Sequence, residues 1–156
     1  MRIVPVCFGV HRKRARIVFM EGKCRITRSV LQKMLEAARE DSSRECCGLI
    51  AGRAGVVTTI FVAPNTLSSA TAYEIAPQEL FKIFHEIRAQ NLDFLGIYHS
   101  HPQLENIPSP TDIARAYYPD AIYFIISPKP DAPKPIRAFR IRGGNVTQLL
   151  LEEILE

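Results

Sequence analysis

His99 and His101 stand two residues apart, and Asp112 follows at the end of the run Ser109-Pro110-Thr111-Asp112. Upstream, Glu45 heads the apolar run at 46–51. Side chains two apart on a β-strand share a face, so both imidazoles can converge on one point. Imidazole suits zinc, and a carboxylate can supply a third ligand. Three protein ligands leave a fourth position for water, as a catalytic zinc site requires. Asp112 suits the third place, because the irregular stretch 102–108 lets the chain double back. Zinc lowers the pKa of a bound water to about 7 and polarises a carbonyl. A neighbouring carboxylate takes and returns the proton, and Glu45 is the candidate for that task.

Each residue also has a structural reading. Two histidines at a strand end can be surface or core residues. Ser109-Pro110-Thr111-Asp112 has the form of a helix N-terminus, with Ser at the N-cap, Pro at N1 and an acid at N3. Glu45 taken alone is a charge beginning a strand. Only the joint pattern points to chemistry.

These residues need a scaffold, and the chain supplies one. Residues 3–8 and 15–20 read as strands joined by the basic turn His11-Arg12-Lys13-Arg14-Ala15-Arg16. Thr27 suits the N-cap of a helix to about Glu40, with Val30, Leu31, Met34, Leu35 and Ala38 on one face. Runs 46–51 and 56–63 flank a hairpin signal at Gly52-Arg53-Ala54-Gly55. A loop at 64–71 and a short strand at 72–75 precede a helix starting at Pro77, with Leu80, Phe81, Phe84 and Ile87 as its apolar stripe and His85 half-buried. Residues 94–98 form a central strand delivering His99-Ser100-His101, and a short helix runs from Ser109 to about Tyr118. A buried strand at 121–127 and a hairpin of 136–142 with 146–151 complete about eight strands and three helices. The class is α/β or α+β, with a mixed sheet covered by helices.

Composition narrows the rest. The 156 residues, 47% of them hydrophobic and 23% charged, fit one globular domain spanning 1–156, with an extension at 1–20 and a core at about 24–150. No apolar run approaches the roughly 18 residues of a membrane span. The apolar stretch before His11 is too short for a secretory signal, so a cytoplasmic location is expected. A net charge of +4 favours solubility, and the cluster at 11–16 reads as a solvated loop rather than a nucleic-acid site. Cys7, Cys24, Cys46 and Cys47 lack metal-site spacing and read as reduced thiols, mostly buried.

The joint pattern resembles the JAMM motif of the MPN-domain (JAB/Mov34) metalloproteases: a glutamate, then H-x-H, seven residues, and S-x-x-D. His99-Ser100-His101, the seven residues 102–108 and Ser109-Pro110-Thr111-Asp112 match it throughout. The stretch Glu45-Cys46-Cys47-Gly48 is similar to the family's E-x-C-G strand. The likeness covers residues 24–150; residues 1–20 depart from it, as does Ser42-Ser43-Arg44, where relatives often carry Pro-Asp.

That resemblance implies an α+β fold with a mixed, mostly antiparallel central sheet flanked by helices, an architecture related to cytidine deaminases. It implies zinc held by His99, His101 and Asp112, Glu45 as general base, and Ser109 donating a hydrogen bond to the oxyanion. The implied reaction is hydrolysis after the C-terminal Gly-Gly tail of a ubiquitin-like or sulfur carrier protein. Small prokaryotic Mec-type hydrolases, which release cysteine from such a carrier, are the nearest branch. The tail would add as a strand to a sheet edge, between loops 64–71 and 102–108. The alternative is a non-catalytic MPN scaffold that binds partners only. A zinc nucleoside deaminase would need H-x-E and P-C-x-x-C, which are absent. The oligomeric state cannot be read from the sequence.

Overall fold

A computed structural model describes residues 22–156. The strands expected at 3–8 and 15–20, the basic turn between them and Cys7 lie outside the described residues. In chain order the elements are β1 (Lys23–Thr27), α1 (Arg28–Glu40), β2 (Cys47–Arg53), β3 (Val56–Ala63), α2 (Pro77–Ala89), β4 (Asp93–Ser100), α3 (Pro110–Ala114), β5 (Ile122–Ile126), β6 (Ile136–Arg142) and β7 (Asn145–Ile154). Among the described residues these strands close into a barrel, ordered β1-β3-β2-β4-β5-β6-β7, with β1 parallel to both β3 and β7. β4 and β5 also run parallel, and the other four pairings are antiparallel. The sheet is mixed and mostly antiparallel, as expected, and its ends meet.

Strand alternation sorts the side chains into two faces. Ile122, Phe124 and Ile126 of β5 point inward with Ile26, Ile50, Tyr98 and Leu149, and the α1 stripe Val30, Met34 and Ala38 packs against them. Tyr123 and Ile125 point outward beside Ile97, Phe139 and Ile141, beneath Ile113 and Tyr118. A second outer cluster sets Ile83 and Ile87 of α2 over Cys47, Leu49, Ala51 and Phe61. Fully burying an isoleucine, leucine, valine, methionine or phenylalanine side chain in these clusters contributes about 1.5–3 kcal/mol.

β4 carries the irregularity that aims the histidines. Its register against β2 passes from Ile50↔Gly96 to Ala51↔Phe94, so Leu95 is an extra residue in a β-bulge. Leu95 and Tyr98 consequently share the inner cluster although they are three residues apart. Beyond the bulge the odd positions Ile97 and His99 face outward. Gly96 permits the close approach, because a Cβ there would lie 2.0 Å from the Ile122 carbonyl oxygen.

Several expectations need correction. α1 starts after Thr27, but the Thr27 side chain caps no backbone N–H; its hydroxyl meets that of Ser29 at 3.2 Å. On α2, Phe81 is 65% exposed, because Leu80, Ile83, Phe84 and Ile87 already fill the i, i+3, i+4, i+7 stripe. His85 is exposed rather than half-buried. Residues 72–75 form no ladder strand; their backbone is held instead by Asn65 and Thr66. α3 stops at Ala114 rather than near Tyr118. Pro119 disfavours helix at Tyr118, whose N–H is donated to the Tyr123 hydroxyl at 3.0 Å.

Gly48 on β2 sits where a Cβ would fall 2.1 Å from the Phe61 carbonyl oxygen and 2.6 Å from the Tyr98 ring. Gly48→Ala is expected to destabilise the fold by about 1–3 kcal/mol through overpacking. Urea denaturation measures this, and an unchanged midpoint would mean that the β2–β3 contact yields freely.

Candidate metal centre

The site forms where β2 begins and β4 ends, on the outer face. Glu45 lies just before β2, and its backbone is pinned at both ends. Its N–H donates to the Ser69 carbonyl at 2.8 Å, and its carbonyl accepts from Asn65 Nδ2 at 3.1 Å. The next residue is clamped to the histidine strand: Cys46 N–H donates to Ser100 Oγ at 2.8 Å, and Ser100 N–H to the Cys46 carbonyl at 3.0 Å. Asn65 also donates to the Ala72 carbonyl at 3.0 Å and accepts the N–H groups of Leu67 and Glu74 at 3.1 Å each. Its amide thereby uses its full capacity. One side chain therefore links Glu45 to the segment carrying Tyr73, whose ring stacks on His99 with centroids 4.6 Å apart.

His99, His101 and Asp112 converge. The two Nε2 atoms are 3.1 Å apart, Asp112 Oδ1 is 3.2 Å from His99 Nε2, and Asp112 Oδ2 is 3.2 Å from His101 Nε2. Both histidines are buried, and Asp112 is partly so. His101 Nδ1 lies 2.7 Å from the Glu105 carbonyl, which can only accept, so Nδ1 carries a proton and Nε2 is turned towards the cluster. Asn106 braces that loop by donating to the Lys134 carbonyl at 2.8 Å. His99 Nδ1 has no such partner among the described residues, and its ring is held by the Tyr73 stack. Ser109 and Asp112 form the expected capping box: Ser109 N–H donates to Asp112 Oδ2 at 2.8 Å, and Asp112 N–H to Ser109 Oγ at 3.1 Å.

This donor set fits a metal ion. Tetrahedral ligands about 2.0–2.1 Å from zinc are separated from each other by about 3.3 Å. The two Nε2 atoms, 3.1 Å apart, come close to that edge length, each lies 3.2 Å from a different Asp112 oxygen, and one ligand atom from each residue lies within 4.8 Å of the other two. Two imidazoles and one carboxylate are also the ligand types that zinc takes.

Electrostatics mark the same place. Burial raises the Glu45 carboxyl to about 7; nearby His101 opposes the rise and Asp112 adds to it. Glu45 Oε1 lies 4.0 Å from His101 Nε2. Burial alone would also raise Asp112, but hydrogen bonds from His101, His99 and the Ser109 backbone hold it well below the carboxylate range. Burial pushes His99 down despite its Asp112 partner. Burial lowers His101 as well, and Asp112, the Glu105 carbonyl and Glu45 outweigh it to leave a net rise.

All five residues singled out in the sequence meet at this end of the barrel. Sequence reasoning missed Asn65, Ser100, Tyr73 and Asn106, whose roles run through backbone atoms or ring faces. Cys24 and Cys47 are buried and Cys46 is partly buried, all of them free thiols. Among the described residues no helix is long and apolar enough to cross a membrane.

A mixed barrel presenting a buried His–His–Asp cluster beside a raised glutamate defines a metallohydrolase-like class of protein. Comparison with known proteins gives the family: residues 27–142 match prokaryotic homologs of the JAB domain, and the chain belongs to that family. It is 37% identical over 103 residues to a desampylase of Haloferax volcanii, covering 64% of this chain and 74% of the relative. It is 32% identical over 125 residues to the CysO-cysteine peptidase of Mycobacterium tuberculosis, covering 79% and 86%. A JAB1/MPN domain protein of Archaeoglobus fulgidus shares the fold at 18% identity with a TM-score of 0.57, covering 85% of this chain and 97% of that one.

Asp112→Ala removes one of three converging donors. Loss of a residue that merely orients a ligand weakens metal binding about 10–100-fold, so zinc affinity by competitive chelator titration should fall by at least that much. Undiminished affinity would assign the third ligand elsewhere.

Proposed function

We propose that this protein is a zinc-dependent hydrolase that cleaves the bond following the C-terminal Gly-Gly tail of a ubiquitin-like or sulfur carrier protein. The observation that carries this reading is the buried Glu45 carboxylate, 4.0 Å from His101 Nε2 at the edge of a three-donor cluster. The family relationship supports it, and so do relatives named desampylase and CysO-cysteine peptidase.

His99, His101 and Asp112 would hold the ion. When bound, zinc supplies Lewis acidity, polarising a carbonyl and making water more acidic. Glu45 accepts the proton from the attacking water and delivers it to the departing amine. Its raised pKa suits both halves of that exchange, since a shuttle works best near the operating pH. Ser109 Oγ accepts the Asp112 N–H, which leaves its own O–H free to donate to the oxygen that gains charge on attack. The bulged β4, clamped to Cys46 through Ser100, keeps base and ligands in register.

Glu45→Gln should retain zinc and the fold while hydrolysis of a carrier–cysteine or carrier–lysine conjugate falls by about 100-fold or more. Mass spectrometry of the conjugate, read beside zinc content, decides it; unchanged turnover would remove Glu45 from the mechanism. Bound metal with no cleavage of any carrier conjugate by the wild type would favour the scaffold alternative.

Glu45 must be ionised to accept a proton, so kcat/KM should fall as pH is lowered. Burial raises the carboxyl and a bound cation lowers it, which places the limb between the ordinary glutamate value of about 4.3 and about 7. A pH–rate profile without an acid limb in that interval would contradict the assignment.

A further inference from the structure

A cavity of about 80 Å³ opens beside the metal centre, between the 71–75 segment, α2 and the turn after α3. It has several times the space one water needs. Glu74, Asp112 and Arg115 contribute to its lining, but most of the wall is apolar and built from interlocked rings: Phe84 meets Phe94 edge-on at 5.2 Å, and Phe94 meets Tyr118 edge-on at 5.4 Å. The Tyr123 hydroxyl, which also lines it, is engaged by the Tyr118 backbone at 3.0 and 3.3 Å. The interior therefore suits an apolar side chain better than water.

Its position relative to the chemistry gives it a side. His99 and Asp112 line one end of the cavity, whereas His101, Glu45 and Ser109 do not. Glu45, the group that protonates the departing amine, approaches the cluster from His101. The leaving group accordingly belongs on the His101 side, and the acyl portion of the substrate on the His99 side. The last two residues of a Gly-Gly tail carry no side chain, so the first group able to fill the cavity comes from the residue before them.

Building on the hydrolase reading, we propose that this cavity is a selectivity pocket. It receives one aliphatic or aromatic side chain from the carrier-tail residue that precedes the terminal Gly-Gly. Carriers with an acidic residue or glycine there are discriminated against.

The test is binding of cleavage-product peptides to the zinc-loaded protein, which needs no turnover. Acetyl-Leu-Gly-Gly should bind at least about 10-fold more tightly than acetyl-Gly-Gly-Gly or acetyl-Asp-Gly-Gly, the scale of one buried apolar side chain. NMR titration should move the Tyr73 and Phe84 ring signals with the leucine peptide. Leu80→Trp, which fills the cavity, should erase the preference while leaving acetyl-Gly-Gly-Gly binding unchanged. Phe84→Ala, which enlarges it, should shift the preference from leucine towards phenylalanine. Equal binding of the three peptides, or a leucine preference surviving in Leu80→Trp, overturns the pocket. Selective peptide binding without cleavage of any conjugate would overturn the hydrolase reading and leave the pocket standing.

Discussion

Four electron-rich atoms, two imidazole nitrogens and the two oxygens of one carboxylate, are held within 3.2 Å of a neighbour in a largely buried site. Lone pairs at that distance repel unless a proton or a cation lies between them, and burial removes the water that would otherwise screen them. His101 is held by the Glu105 carbonyl with its Nε2 turned towards the other donors. Asp112 is kept ionised by the two rings and by the N-terminus of α3. A divalent ion would relieve that crowding, because it would satisfy the donors of all three residues at once. The rest of the molecule is organised around keeping them together.

That organisation is distributed. The bulge at Leu95 sets which face the histidines occupy, and Gly96 lets the Ile122 backbone of β5 approach closely beside it. Ser100 points the other way from its flanking histidines and grips Cys46, so one strand end fixes both the histidine pair and the position of Glu45. Asn65 and Tyr73 close the circuit, joining the Glu45 backbone to the ring stacked on His99. The capping box of α3 gives Asp112 a structural duty alongside its place in the cluster. In this short helix the structural and functional readings are the same set of hydrogen bonds.

The five residues that meet at the cluster were legible because residue types and their spacing are properties of the chain itself. The central strand and the apolar stripe of α1 were legible too, through alternation and helical periodicity. Closure of the barrel was not: β1 has five residues, and its alternation of Cys24 and Ile26 with Lys23 and Arg25 is too short to stand out. The bulge hides inside the continuous apolar run at 94–98, where alternation gives no contrast, and Gly96 is its sole local trace. Residues 72–75 have strand-like composition, but Asn65 claims the backbone groups that a neighbouring strand would need. Side chains such as Asn65 and Ser100 act on backbone atoms far along the chain, and no local pattern announces such contacts.

The central claim is that His99, His101 and Asp112 close around one metal ion with Glu45 at its open side. Anomalous X-ray diffraction across the zinc absorption edge, on crystals of the protein incubated with zinc, tests it most directly. The account predicts one anomalous peak within coordination distance of His99 Nε2, His101 Nε2 and an Asp112 carboxylate oxygen, with Glu45 beside it but not bound to it. An absent peak, or one coordinated by Glu45 or by residues elsewhere, would contradict it.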